Sequence, residues 1–367
     1  MTIVIIVILL VCSCMCGYVL FSKILLKNPE YQTKMHSKVS VIIPARNEED
    51  NLPFLLDSLK SQSIEPFEII VVDDMSTDKT YEIATSYGVK VIKSTELPDK
   101  WTGKSWALWN GVKESSGDTL VFLDTDVRLE PKALETLLFT RTVSGGAISV
   151  VPYHKTRKFY ERLSLIPYLL GVLAFTSPFE QYSNKKGLYG SCIVMTREDY
   201  SKIEGHDSVK SEVLDDLNLG KKLTGAGIPV HNFIGFNNVS FRMYPGGIQS
   251  ELQGFGKGAV LSTANLRPLT IIWIGLWFVG LVAVEFVTPV LMIFGNVYTT
   301  PFLIGYILFT LQIFYFLKYS GEYGRLVPVL HFLSTIFFIV TILYSYYQVA
   351  IIGSVTWKGR QVKVGRK

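Results

Sequence analysis

The run from Ile3 to Phe21 contains no charged residue, and it constrains the fold more than any other feature of this 367-residue chain. A helix needs about 20 apolar residues to cross the hydrocarbon core of a membrane. The start MTIV lacks the basic residue of a cleaved signal peptide, and the basic residues follow the run instead. They are Lys23, Lys27, Lys34 and Lys38. We therefore expect residues 1–26 to be a transmembrane anchor and the following domain to be cytoplasmic.

Three further apolar stretches lie near the C-terminal end, so residues 269–353 are predicted to form membrane helices, followed by a basic tail at 354–367. The stretches are Leu269–Phe294, Tyr298–Leu317 and Val327–Gly353. Three full crossings would place the basic tail outside, against the preference of Lys and Arg for the cytoplasmic side. One stretch is therefore expected to be re-entrant or interfacial. Leu269–Phe294 is the candidate because Glu285 and Pro289 interrupt it.

The net charge of +5 is concentrated near these apolar stretches. Cationic flanks of this kind meet anionic lipid headgroups, so the chain is predicted to bind a membrane and no nucleic acid. The expected location is the cell membrane, with several crossings and an oligomeric state that the sequence does not specify. The histidines show no metal-binding spacing and are interpreted as structural. They include His154, His206, His231 and His331.

The middle of the chain, residues 39–268, has the pattern of a soluble α/β domain. Short β-branched and aromatic runs predict strands, which are VSVII (39–43), FEIIVV (67–72), VKVI (89–92) and TLVFL (119–123). Leucines at helical spacing follow the first run, and a helix is expected from about Lys104 to Glu114. Strands that alternate with helices indicate a parallel sheet covered on both faces.

Polar residues follow the principal strands, at Pro44–Glu48, Asp73–Asp74 and Asp124–Asp126. In open α/β sheets ligands bind outside the carboxyl ends of the strands. Asp124 and Asp126 are two residues apart, so in an extended segment they point to one side and can share a cation. Mg²⁺ is commonly bound by one or two carboxylates together with phosphate oxygens and water. Taken alone, such a pair could also be a solvated turn.

Other nucleotide-binding motifs are not matched. The segment PARNEE after the first strand contains no glycine, which excludes the G-x-G-x-x-G fingerprint of dinucleotide folds and the glycine-rich loop of nucleotidyltransferases. Gly103–Ser105 resembles the end of a P-loop, but Pro98 stands where that motif needs its first glycine. Lys104 at a helix start could still meet a phosphate.

Four segments occur in the order and spacing of the family 2 glycosyltransferases, which this chain resembles over residues 39–268. They are SVIIPARNEEDNLPFLLDSLKSQ, EIIVVDDMSTDKT, GKSWALWNG and VFLDTDV. Members of that family are inverting enzymes with the GT-A fold, and they use nucleotide-sugar donors. Further segments are similar to membrane-anchored bacterial lipid glycosyltransferases, including those of carotenoid pathways. These are SVVPYHKTRKFYERLS, FRMYPGGIQS and VTWKGRQ. The Q-x-x-R-W signature of processive relatives is absent, so a single sugar transfer is expected.

The resemblance implies a role for each candidate site residue. It places Pro44, Arg46, Asn47 and Glu48 at the nucleotide edge and Asp74 at the uracil of a UDP-sugar. It places Lys104 near the nucleotide or its phosphates, Asp124 near the ribose or the metal, and Asp126 on a Mg²⁺ or Mn²⁺ ion. In SEVLDDLNLGKKL (211–223) it makes Asp216 the base, with Asp215 as the alternative.

Structural alternatives to these roles remain open. Asn47 and Glu48 could cap a helix, Asp73 and Asp74 could stabilise a turn, and Asp215 and Asp216 could simply favour a first helical turn. Met75 stands where the family usually has glycine, so a positive φ there would be strained.

The predicted function is transfer of one hexose, glucose being favoured, from a UDP-sugar to a membrane lipid such as a carotenoid carboxylic acid. Polyprenyl phosphate, a hopanoid or another lipid is the alternative acceptor, and a non-catalytic nucleotide-binding membrane protein is the second alternative. The apolar segment at residues 159–179 could be an interfacial helix that delivers the acceptor or a buried core helix.

Overall fold

The computed structural model describes residues 1–29, 37–181, 183, 185–259, 266–357 and 360–363. Its α-helices are α1 (Thr2–Leu20), α2 (Leu52–Lys60), α3 (Thr80–Ser86), α4 (Gly103–Lys113), α5 (Ala133–Ser144), α6 (Leu165–Thr176), α7 (Arg197–Lys202), α8 (Asp215–Gly225), α9 (Ile248–Ala259), α10 (Pro268–Ile293), α11 (Thr299–Ser320), α12 (Leu326–Val329) and α13 (Phe332–Tyr346). Its strands are β1 (Val39–Ala45), β2 (Glu68–Asp73), β3 (Lys90–Lys93), β4 (Thr119–Leu123), β5 (Val127–Leu129), β6 (Ala147–Val151), β7 (Tyr153–Lys155), β8 (Cys192–Thr196), β9 (Val230–Ile234), β10 (Val239–Phe241), β11 (Gly321–Glu322), β12 (Ser354–Trp357) and β13 (Arg360–Lys363).

The chain divides into two compact units. The first, called here the sheet unit, comprises Ile24–Tyr153, Asn184–Arg242 and Gly353–Lys367. The second, called the helical unit, comprises Met1–Lys23, His154–Ser183 and Met243–Ile352.

The sheet unit contains a seven-stranded sheet in the order β3-β2-β1-β4-β8-β6-β9. Ile42 of β1 lies opposite Ile70 on one side and Phe122 on the other, with both pairs parallel. Strand β8 runs antiparallel to both of its neighbours, β4 and β6. The expectation of an all-parallel sheet is therefore wrong at this strand, although the α/β class and the four strands predicted from the sequence are confirmed.

Helices cover the sheet because their apolar residues fall on one side. Leu52, Leu55, Leu56 and Leu59 of α2 are all buried, as their spacing predicts. Burying one leucine side chain contributes about 1.5–3 kcal/mol to folding, so this row alone holds α2 in place. Gly111 of α4 lies close to the sheet, since a Cβ there would come within 2.5 Å of Ile42 Cγ2. This close approach fixes α4 beside β1 and positions its N-terminus at the strand ends.

Among its described residues, the helical unit contains four helices that are long and apolar enough to cross a membrane. They are Thr2–Leu20, Pro268–Ile293, Thr299–Ser320 and Phe332–Ile352, where the last continues α13 through a π-helical turn. The buried Trp277 Nε1 donates to Gln312 Oε1 at 2.7 Å, and Gln312 Nε2 donates to the carbonyl oxygen of Cys14 at 2.6 Å. These bonds join α1, α10 and α11. They are favourable because an unpaired polar group is costly in an apolar environment.

Helix α10 is continuous over 26 residues, with Pro289 inside it. The interruption that a re-entrant segment at Leu269–Phe294 would need is thus not present in the backbone. Glu285 is buried in this helix, and His331 Nδ1 and Thr335 Oγ1 contact its carboxylate. Buried charged groups need such partners in a membrane protein.

The apolar segment at residues 159–179 packs inside the helical unit. It forms a 3₁₀ turn at Tyr160–Ser164 followed by α6. The Ser334 hydroxyl of α13 accepts from the Ile166 amide at 2.7 Å and donates to the Leu163 carbonyl oxygen at 2.5 Å. These contacts agree with the alternative of a buried core helix. The segment packs into the same core as the apolar helices.

Candidate active site

A pocket opens at the carboxyl ends of β1 and β4 in the sheet unit. Its lining residues come from several loops and helices of that unit. They are Pro44, Lys104, Leu108, Phe122, Leu123, Asp124, Gly190, Ile193, His206, Asp215 and Asp216. The pocket therefore brings together five of the residues singled out from the sequence, namely Pro44, Lys104, Asp124, Asp215 and Asp216. This is the position at which open α/β sheets bind ligands.

Lys104 and Asp124 form an ion pair across the pocket. Lys104 Nζ lies 2.8 Å from Asp124 Oδ1 and 3.0 Å from Oδ2. Thr102 caps α4 and thereby presents Lys104 in its first turn. Burial opposes the charge of Lys104, but the carboxylates of Asp124, Asp215 and Asp216 outweigh it, so its pKa is raised. Lys104 thus stays protonated and offers the pocket an ammonium group that can contact a phosphate.

Asp126 follows Asp124 by two residues, and its Oδ1 is a buried oxygen with no hydrogen-bond partner among the described residues. Burial and then the neighbouring Asp124 raise the pKa of Asp126 to about 7, although Arg128 and Lys104 lower it. Two crowded carboxylates, one with an unpaired oxygen, fit a divalent cation that neutralises both. No cluster of three or more His, Cys, Asp or Glu side chains in the described ranges forms an alternative metal site.

Asp215 and Asp216 begin α8 beside the pocket, and different contacts hold them. Ser105 Oγ of α4 donates to Asp215 Oδ2 at 3.2 Å. Asp216 Oδ1 accepts from the Leu217 amide at 2.9 Å. A Cβ at Gly190 would come within 2.0 Å of Asp216 Oδ2, so a side chain at position 190 would have to displace this carboxylate. The absence of a side chain at position 190 lets this carboxylate reach the pocket.

The residues assigned to the nucleotide edge lie on two loops that are bonded to each other. Arg46 Nη1 donates to the Asp74 carbonyl oxygen at 2.7 Å, and Asn47 Oδ1 accepts from the Thr77 amide at 2.8 Å. The Glu48 amide donates to Thr80 Oγ1 at 2.8 Å. The first loop is thus fixed against the second beside the pocket, while Arg46, Asn47, Glu48 and Asp74 do not line the pocket itself. Their contact with a nucleotide stays a prediction.

Met75 adopts a φ of 53°, the left-handed conformation that favours glycine. The backbone strain expected from the sequence for a side chain at this position is therefore present.

His206 also lines the pocket, although sequence reasoning interpreted it as structural. No sequence pattern marks it, because its position depends on the turn before it, in which Glu204 and Gly205 both have positive φ, at 58° and 48°. A turn of this kind fixes the direction of the side chain that follows it.

Known proteins are similar to this chain in sequence and in fold. The pattern of Glycosyl transferase family 2 matches residues 40–204. Over 365 residues the chain is 32% identical to 4,4'-diaponeurosporenoate glycosyltransferase of Staphylococcus aureus (strain N315), covering 97% of this chain and 96% of the relative. The enzyme of strain USA300 is also 32% identical, over 361 residues.

Among solved structures, the mannosyltransferase PcManGT from Pyrobaculum calidifontis, in complex with GDP-Man and Mn²⁺, has a similar fold. The TM-score is 0.53 at 15% identity, covering 94% of this chain and 99% of that one. This likeness shows a shared fold over nearly the whole length of both chains. The chain belongs to glycosyltransferase family 2.

Proposed function

We propose that this glycosyltransferase moves a single hexose from a UDP-sugar to a lipid acceptor that carries a carboxylate, of the kind found in a carotenoid acid. The observation that carries the proposal is the pocket in which Lys104 and Asp124 lie beside Asp215 and Asp216. The transfer needs two elements, which are a cation for the diphosphate and carboxylates on the acceptor side. Full-length similarity to a diaponeurosporenoate glycosyltransferase supports this acceptor class.

The reaction is a displacement at the anomeric carbon. The acceptor oxygen forms a bond to that carbon from the face opposite the diphosphate, and the bond between the carbon and the diphosphate oxygen breaks. A divalent cation, Mg²⁺ or Mn²⁺, bound by Asp126 and Asp124, would stabilise charge on the leaving diphosphate. Lys104 places a second positive charge on the same side of the pocket.

Asp216 is proposed as the residue that faces the acceptor. With a hydroxyl acceptor it removes the proton as the bond forms. A carboxylic acid acceptor has already lost its proton at neutral pH, because an unperturbed carboxyl group has a pKa of about 4. In that case Asp216 takes no proton.

The nucleotide edge is proposed to contain Pro44, Arg46, Asn47, Glu48 and Asp74. The bonded loops support this, since a rigid edge reduces the entropy lost on binding a nucleotide. The lysines that follow α1 support a cytoplasmic catalytic domain, where nucleotide sugars are available.

The experiment supplies the full chain in detergent with UDP-glucose, UDP-galactose or GDP-mannose and two acceptors. One acceptor is 4,4'-diaponeurosporenoate and the other is a polyprenyl phosphate. Mass spectrometry identifies the product. A hexosyl ester of the carotenoid acid, formed from a UDP-sugar, is the expected result. Transfer only to the polyprenyl phosphate, or binding of UDP-sugar without transfer or hydrolysis, would overturn the proposal.

A further inference from the structure

His206 is held rigidly at the pocket by Tyr200 and Phe122. Its backbone amide donates to Tyr200 Oη at 3.0 Å, and its Nδ1 lies 2.9 Å from the same oxygen. Phe122 packs edge-on against the ring, with centroids 5.5 Å apart and planes at 78°. Gly205 permits this arrangement, because a Cβ there would come within 2.1 Å of the Tyr200 ring. The orientation of the imidazole is therefore fixed by its surroundings.

These contacts also determine which ring nitrogen of His206 carries the hydrogen. The backbone amide can only donate, so Tyr200 Oη accepts that bond. The hydroxyl hydrogen of Tyr200 is then available for Nδ1, which must accept it. The opposite tautomer would leave a buried hydroxyl hydrogen without an acceptor among the described residues. The hydrogen of the neutral ring consequently lies on Nε2.

Nε2 is the ring nitrogen that remains for the pocket. His206 is only 2% exposed to solvent, and burial lowers its pKa to about 4, with smaller and opposing effects of Asp215 and Lys104. The ring is thus neutral at pH 7 and offers one N–H donor. It faces the same pocket as the two carboxylates of α8.

A carboxylate acceptor needs such a donor. One of its oxygens attacks the anomeric carbon, and the other must be held while Asp215 and Asp216 repel it. The Lys104 ammonium is already bonded to Asp124 on the diphosphate side. Among the described pocket residues, His206 offers a side-chain donor, its Nε2–H, that is not bonded to a carboxylate of the pocket, and this donor is available for the second oxygen.

We propose that His206 binds the acceptor, donating its Nε2–H to the carboxylate oxygen that does not react, and so selects carboxylate lipids over alcohols. This inference rests on the proposed function. It assigns a binding role to a residue outside the Asp-x-Asp and Asp-Asp segments. No proton is transferred to or from the imidazole in this role.

The test compares His206→Phe, His206→Gln and a control, His231→Phe, in the full chain in detergent. Phenylalanine keeps the ring but removes the donor, whereas glutamine restores an N–H group at similar reach. His231 belongs to β9 and does not line the pocket. The Michaelis constants for 4,4'-diaponeurosporenoate and for UDP-glucose are measured separately, with thermal unfolding of each variant.

The expected result for His206→Phe is an increase of about ten-fold or more in the Michaelis constant for the carotenoid acid, as for loss of a hydrogen bond to a charged group. The constant for UDP-glucose should change by less than about two-fold, and His206→Gln should recover most of the loss. His231→Phe should leave both constants at the wild-type values.

Three outcomes would overturn the inference in distinguishable ways. If the wild-type chain transfers sugar to a polyprenyl phosphate and not to the carotenoid acid, the proposed function fails and the role of His206 fails with it. If the wild-type chain uses the carotenoid acid and folded His206→Phe keeps the same acceptor constant, only the role of His206 is refuted. An equal rise in both constants would likewise refute it, because His206 would then serve the donor.

Discussion

Asp216 and Gly190 fit together so closely that a methyl group at position 190 would lie 2.0 Å from a carboxylate oxygen of Asp216. Gly190→Ala should therefore displace the carboxylate while leaving its chemistry intact. A displacement of about 1 Å at a reacting group can cost about a hundred-fold in rate, and we expect a loss of that order in turnover.

The matched control for this variant is Gly225→Ala at the C-terminal end of the same helix, where a Cβ would meet nothing within 4 Å. That change should leave turnover intact, because the added methyl group meets no other atom and alanine favours a helix more than glycine does. Turnover at the wild-type level in Gly190→Ala would show that the position of Asp216 does not matter to the reaction.

Asp216→Asn separates the two proposed modes of acceptor activation. With a hydroxyl acceptor we expect a loss of about 10²–10⁴-fold, since a general base is removed. With a carboxylate acceptor the loss should stay within about ten-fold, because no proton has to be removed. Turnover is measured on a carotenoid acid and on the corresponding alcohol. Equal losses on both acceptors would contradict the distinction.

Asp126→Asn tests the proposed cation site. Removal of divalent ions with a chelator should abolish transfer in the wild-type chain, and Mg²⁺ or Mn²⁺ should restore it. The variant should need a higher metal concentration for half-maximal activity, because it loses one of two carboxylate ligands. Titration of activity with each metal measures this shift. Full activity of the wild type in excess chelator would argue against the site.

Glu251 in α9 predicts a pH dependence of stability. Burial raises the pKa of Glu251 to about 8, with a bond from Ser164 lowering it and the charge of Glu161 raising it. The folded chain thus holds a proton that the unfolded chain releases. The stabilising contribution is complete below the ordinary carboxyl pKa and is lost as pH rises through the folded pKa.

We expect the wild-type midpoint of thermal unfolding to fall between about pH 5 and about pH 8.5 by more than that of Glu251→Gln, whose amide does not titrate. Both proteins are compared in one detergent. Parallel curves for the two would indicate that other groups control the pH response.

Local patterns in the sequence predicted the elements that depend on near neighbours. The strands that begin at Val39, Glu68 and Thr119 and the buried leucines of α2 follow from periodicity and burial alone. The antiparallel direction of β8 was missed, because strand direction depends on the long connection from β7 to β8 and not on residues 192–196 themselves.

The candidate site could be predicted only where its residues stand in motifs. Asp124 and Asp215 were found at a strand end and a helix start, and both line the pocket. His206 was missed because its importance arises from a left-handed turn and from the Tyr200 hydroxyl, neither of which produces a sequence pattern. The close approach of Gly190 to Asp216 is likewise visible only in three dimensions.

The helical unit is assembled from three separated parts of the chain, and this has a consequence for biosynthesis. Helix α1 emerges from the ribosome first, yet Gln312, whose amide binds the Cys14 carbonyl oxygen, is synthesised near the end. At about 5–20 residues per second, the first helix waits on the order of tens of seconds in the bilayer before that partner arrives. A chain that ends before residue 312 would therefore leave the N-terminal helix without this partner, so the packing of α1 is completed only late in translation.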